Sequence, residues 1–206
     1  MNASIHNTEF AAIDFESAGT SKGSGDYPVQ IGIAVWRDGK VCETLRSYIA
    51  CEAPVTWNAQ RVHGISTEML ADAPSLNDLW PSIRDLMQGR VVVAHGAATE
   101  RRFLRAFPFH GFAPWVDTLA LVRATNPHLP SHKLADVCEH HALLPALHAA
   151  EPNFRWHDAF SDALASLLLC HTLVAKHSIS AVEALLKPRQ SQYYQARKSN
   201  SYFPSK

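Results

Sequence analysis

Four cysteines stand in 206 residues, Cys42, Cys51, Cys138 and Cys170, and no two of them are in a CxxC spacing. That scarcity excludes a zinc knuckle and a disulfide scaffold, and the expectation is four reduced, mostly packed thiols. Twelve histidines are present, yet no HExxH pair occurs among them, which argues against a histidine-based transition-metal enzyme. Also lacking are an internal repeat of solenoid period and an apolar run of about twenty residues that would cross a bilayer. The start, MNASIHNTEF, has no basic patch followed by a greasy stretch. A soluble, cytoplasmic protein with no membrane partner is expected.

Net charge is lacking as well, since 19 Lys and Arg balance 19 Asp and Glu. The balance is uneven along the chain. Lys187, Arg189, Arg197, Lys198 and Lys206 crowd the last segment without an acid, which leaves 14 basic against 19 acidic residues in the body. An acidic body is a poor coat for nucleic acid. It can still act on phosphates if its carboxylates hold divalent cations, because the ions then carry the positive charge.

What the sequence does have is 47% hydrophobic residues, enough for one sizeable core in a chain of this length. We expect one domain over 1–186 and a basic, polar and aperiodic tail over 187–206, poorly ordered. Tyr193, Tyr194, Tyr202 and Phe203 in that tail, interleaved with basic residues, have the composition of a single-strand stacking segment. Residues 10–16 read as a strand, followed by a loop of turn residues, SAGTSKGSGDYP. Residues 29–36 and 41–50 read as a hairpin turning at Asp38-Gly39. Helical periodicity marks 58–62 and 76–87. Residues 90–95 form a β-branched run too short for a helix and are expected to be a buried strand. Helices follow over 99–107, 117–123, 133–143 and 158–177. This order predicts an α/β fold, a mixed sheet flanked by helices.

Three clusters carry chemistry. Asp14 and Glu16 are two apart on an apolar strand, so both leave the same face and can converge on one cation. Unpaired, they would cost several kcal/mol of desolvation (roughly, by transfer data), and hard oxygen-bound divalent ions would neutralise them. The plainer alternative is a strand end at which both acids reach solvent. In RWHDAFSDA, His157 and Asp162 are five apart, about 140° around an ideal helix. They can cooperate only if His157 precedes the helix and Asp162 points from its first turns; otherwise they are ordinary helix-end residues. The third cluster, His95-Gly96-Ala97-Ala98-Thr99-Glu100, puts Glu100 in a first helical turn, where acids are favoured in any case.

Taken together, the clusters resemble the three motifs of the DnaQ-like (DEDDh) exonuclease family, which has a ribonuclease H-like fold. AAIDFESAG resembles the first motif, VVVAHGAATERRFLRAF the second and HDAFSDA the third, HxAxxDA. Val62-His63-Gly64-Ile65-Ser66, Val116-Asp117-Thr118-Leu119 and His132-Lys133-Leu134-Ala135 resemble the connecting segments, so the likeness spans about 8–178. The resemblance implies two divalent metal ions, Mg2+ or Mn2+, held by Asp14, Glu16 and Asp162 with Glu100 nearby. His157 is implied as the general base, since a neutral imidazole is a usable base near neutral pH. The implied reaction is 3′–5′ cleavage of single-stranded DNA or RNA ends to nucleoside 5′-monophosphates.

Ser17, Ala18 and Gly19 are implied to bring backbone amides to the strand's 3′ end, with His63, His95 and Trp57 bordering it. A lone tryptophan, however, usually goes to the core. The second motif departs from the family: Gly96 stands for asparagine, Thr99 for phenylalanine and Glu100 for aspartate. The longer acid reaches roughly 1.5 Å further, so activity with an altered metal preference is expected. The same departures motivate a second reading, a nucleic-acid binder that has drifted out of catalysis. DNA or RNA preference and a polymerase or homodimer partner are left open.

Overall fold

The computed structural model describes residues 5–20 and 25–186. The tail expectation over 187–206 lies outside the described residues. Five strands form one sheet: β1 (Phe10–Ser17), β2 (Pro28–Arg37), β3 (Lys40–Tyr48), β4 (Val91–Ala94) and β5 (Trp115–Asp117), in the order β3-β2-β1-β4-β5. β2 pairs antiparallel with both β1 and β3, whereas β1–β4 and β4–β5 are parallel. The sheet is therefore mixed, as the order of elements predicts.

Alternation divides β1 between two cores. Phe10 and Ala12 pack on one face with Ala34, Val93, Val116 and the long helix α7 (Ala159–Lys176). Ala11, Ile13 and Phe15 pack on the other with Ile31, Ile33, Ile83 and Met87, the last two from α2 (Leu76–Met87). The first turn of α2 is fixed by a reciprocal capping box between Ser75 and Asp78. Because successive side chains alternate, Asp14 and Glu16 continue the α7 face at the strand's C-terminal end.

α7 has the length and mean hydropathy (1.3) of a membrane span, but eleven of its residues are buried in the core. It lies against β2 at Gly32, the register partner of Asp14. A Cβ there would stand 2.2 Å from the Phe160 nitrogen, so only glycine admits the helix this close. At its far end His171 stacks on Trp36, with centroids 4.3 Å apart, and meets Phe10 edge-on.

The remaining helices are α1 (Trp57–His63), α3 (Ala98–Phe103), α4 (Thr118–Thr125), α5 (Leu134–His140), α6 (Leu144–Ala150) and α8 (Val182–Leu186). The helix expected over 99–107 ends as α-helix at Phe103 and continues as a 3-10 turn over Leu104–Ala106. That expected over 133–143 stops at His140. A turn there, with Ala142 at φ 54°, leads into α6, which the sequence reading did not identify. Of the cysteines, Cys138 and Cys170 are buried while Cys42 is exposed and Cys51 intermediate, so two of the four thiols are packed rather than most.

Candidate metal and active site

The C-terminal ends of β1 and β4 and the N-terminus of α7 meet at one edge of the sheet, and this brings the three clusters together. Donor atoms of Glu16, His157 and Asp162 lie within 4.8 Å of one another. Asp14, beside them on β1, is held well above the usual carboxylate range, first by burial and then by the charges of Asp162, Glu100 and Glu16. Burial pushes Glu16 up to about 8, with Asp162 and Asp158 adding repulsion and Arg155 opposing it. Burial likewise raises Asp162 and Glu100 to about 7 each. Four acids whose charge is this costly form a site that favours either protons or cations.

His157 stands on the arm before α7 in a left-handed conformation, φ 60°, with Asp158 as the helix cap. Its backbone N–H donates to Asp162 Oδ2 at 3.3 Å. The histidine and the acid thus approach each other without sharing a helical face. Residues outside the motifs hold the arm. Gln30 on β2 donates to Asp158 Oδ2 (2.9 Å) and accepts from Ala159 N (3.0 Å), while Arg46 bridges Asp158 and Glu151. Sequence reasoning missed this clamp, although a glutamine within an apolar strand was a visible signal.

The fit of a cation can be tested on the oxygens themselves. Glu100 is 3% exposed, and its Oε2, like Asp162 Oδ1, is buried with no hydrogen-bond partner. Orphaned buried carboxylate oxygens are costly unless something positive meets them. An all-oxygen donor set with one nearby imidazole suits a hard ion such as Mg2+ or Mn2+. Glu100 is carried on α3, whose entry is fixed by Asp117, whose Oδ1 accepts from Gly96 N at 3.0 Å and also caps α4. Gly96 has φ 88°, a left-handed conformation that asparagine, the residue expected there, also tolerates.

The expected substrate-binding residues are placed differently. The amide of Ala18 donates to Tyr27 O (2.8 Å) and that of Gly19 to Asp26 Oδ1 (3.1 Å), so neither faces a strand end. Asp26 also pairs with Arg102 on α3 at 2.6 Å. His63 is buried, donates from Nε2 to Ser17 O (3.1 Å) and accepts at Nδ1 from Ile65 N (3.0 Å). It props the loop, and burial lowers its pKa. His95 is likewise engaged at both nitrogens, by Thr118 Oγ1 and by the His132 carbonyl, each at 2.9 Å. Trp57 is not in the core: it is 67% exposed at the start of α1, beneath the Arg61 guanidinium.

A mixed five-stranded sheet that gathers four carboxylates and a histidine at one edge has counterparts among known proteins. The sequence model of the exonuclease family, RNase T type, matches residues 11–170. The chain belongs to the exonuclease family. A 3′–5′ exonuclease DinG of Staphylococcus epidermidis is 32% identical over 148 residues, covering 69% of this chain and 16% of that protein. A PolC-type DNA polymerase III of Thermotoga petrophila is 28% identical over 167 residues, covering 79% of this chain and 12% of the polymerase. The chain therefore spans a small part of these relatives.

The fold is shared with exonuclease X, solved in complex with 5′ overhanging duplex DNA, at TM-score 0.66 and 23% identity, covering 86% of this chain and 98% of that one. It is shared too with the nuclease domain of 3′hExo, a DEDDh family member bound to rAMP, at TM-score 0.64 and 14% identity, covering 85% and 95%. The chain thus combines membership of the exonuclease family with a fold, a mixed sheet flanked by helices, that solved exonucleases share.

Proposed function

We propose that this chain removes nucleoside 5′-monophosphates from the 3′ ends of single-stranded DNA or RNA, in the cytoplasm, with two divalent cations, Mg2+ or Mn2+, as cofactors. The observation that carries this reading is the meeting of Asp14, Glu16, Glu100, Asp162 and His157, from three distant segments, around buried oxygens that lack partners. Asp14, Glu16 and Asp162 would hold the ions, with Glu100 reaching in from α3. Bound there, divalent cations lower the pKa of water and offset charge on the scissile phosphate.

The chain's own groups do the rest. His157 accepts the proton of the attacking water, and its position off the helix lets the ring move toward or away from the phosphate. The clamp of Gln30, Asp158 and Arg46 fixes the arm that bears it. Ser17, Ala18 and Gly19, propped by His63, would border the 3′ end by their place at the end of β1 and not through the amides of Ala18 and Gly19, with His95 held nearby and exposed Trp57 available to stack on a base. The likeness to PolC-type polymerases supports a setting alongside a polymerase.

The test is digestion of 5′-labelled single-stranded DNA and RNA with magnesium, manganese or chelator, beside Asp14→Ala and Asp162→Ala. A metal-dependent ladder that shortens from the 3′ end and is lost in both variants is expected. Ordinary turnover by either variant overturns the assignment. Binding without cleavage under any metal favours the drifted binder that Gly96 and Glu100 motivate.

A further inference from the structure

Most arginines of this acidic body already face acids. Arg37 and Arg90 lie among Glu9 and Glu43, Arg46 on Glu151 and Asp158, Arg84 beside Asp85, Arg102 on Asp26, and Arg155 near Asp158. Arg123, near the end of α4, and Lys133, just before α5, are different. Both are exposed, and among the described residues neither has a carboxylate within ion-pair distance. They line one groove of about 600 Å³ that reaches the candidate metal site, since His157 and Asp162 are also among its lining residues. Leu119, Leu134 and Trp156 give its lining an apolar part, and His95, also in the lining, has no ring nitrogen free.

A groove with uncommitted cations, a partly apolar lining and a candidate metal site within reach suits a chain of phosphodiesters with bases attached. Arg61, Arg101 and Arg105 are exposed without an acid as well, but none of them lines this groove. We infer that this groove holds the substrate strand on the 5′ side of the scissile bond, with Arg123 and Lys133 each neutralising one backbone phosphate. The inference rests on the exonuclease reading and adds to it a place for the uncut strand. Contacts to phosphates set register and affinity without reading sequence, so the groove predicts a nuclease indifferent to the sequence upstream of the cut.

The test is fluorescence anisotropy of the full chain with 5′-fluorescein-labelled, phosphorothioate-linked dT8 in MgCl2, at salt concentrations between 50 and 200 mM. Arg123→Gln, Lys133→Gln, the double variant and Arg105→Gln, a cation outside the groove, are measured together. Each phosphate contact on a single strand contributes about 0.7 to the slope of log affinity against log salt. The loss of affinity across that fourfold range should therefore shrink by roughly threefold in either single variant and roughly sevenfold in the double. Arg105→Gln should follow the wild type. An unchanged slope in the double variant, or an equal change in Arg105→Gln, overturns the groove. Digestion of ordinary dT8 by the wild type separates the two ideas. Cutting with an unaltered slope sinks the groove alone, whereas an altered slope without cutting sinks the exonuclease reading and leaves the groove.

Discussion

Without metal, the site should weaken the protein as the pH rises, and Glu16 makes this measurable. Its pKa is about 8 in the folded chain against an ordinary 4.5. A carboxyl whose folded pKa is raised contributes stability that is complete below the unfolded value and is lost as pH climbs through the folded one. Between pH 6.5 and 8 one such group loses up to about 2 kcal/mol, or about 1–2 kcal/mol once solvent screening of a half-buried side chain is allowed for. At roughly 2–4 °C per kcal/mol for a chain of this size, that is a fall in Tm of about 3–6 °C.

The assay is thermal unfolding in EDTA and in MgCl2 or MnCl2, across that pH window, for the wild type and the isosteric Glu16→Gln. In EDTA the wild type should lose those degrees relative to the variant, which keeps the slope due to the other raised acids, Asp14, Asp162 and Glu100. Metal should raise the wild-type Tm most at pH 8 and the variant's much less. Identical pH curves for the two proteins, or an equal rise with metal, would refute the reasoning.

Three other outcomes follow from the same geometry. Replacing the proton acceptor by His157→Gln should lower kcat by about 10²–10⁴ while calorimetry still shows metal binding; a loss of metal binding would make the histidine a ligand instead. Glu100→Asp, which shortens the acid on α3, should shift the ratio of Mn2+- to Mg2+-supported rates, and an unchanged ratio would show that Glu100 does not reach the ions. Burial pushes His171 down to about 4, so its stabilising neutral form is complete above about 6.5 and lost as pH falls toward 4, at a cost of about 3 kcal/mol. His171→Phe should therefore move the acid-unfolding midpoint to lower pH, and an unmoved midpoint would count against that account.

Motif spacing made the catalytic edge legible because each cluster announces its own local structure. A strand places Asp14 and Glu16 on one face, and a five-residue gap forces His157 off the helix that bears Asp162. The hairpin at Asp38-Gly39 and the bounds of α2 could be read from local signals too, a two-residue turn and helical periodicity. The loop contacts could not. Whether the amides of Ala18 and Gly19 point outward depends on Tyr27 and Asp26, which return to the loop from the next strand, and no local pattern encodes that return. Trp57 was misjudged because apolar area alone argues for burial, whereas at the first position of a seven-residue helix it stays largely exposed and meets the Arg61 guanidinium. β5 was missed because three residues are too few to display a period.

The absent side chain at Gly32 also governs how this site can change. Where helix and strand touch backbone to backbone, the separation between Asp162 and the β1 acids is set by two main chains and is insensitive to repacking of the core around them. That jaw of the site is rigid, and even one added methyl would pry it open. α3, which bears Glu100, has no such backbone contact with the sheet at a glycine; its entry is held by the Asp117 carboxylate accepting from Gly96 N. A longer acid at position 100 thus falls on the helix whose place is set by a side-chain hydrogen bond, away from the backbone contact that fixes Asp162.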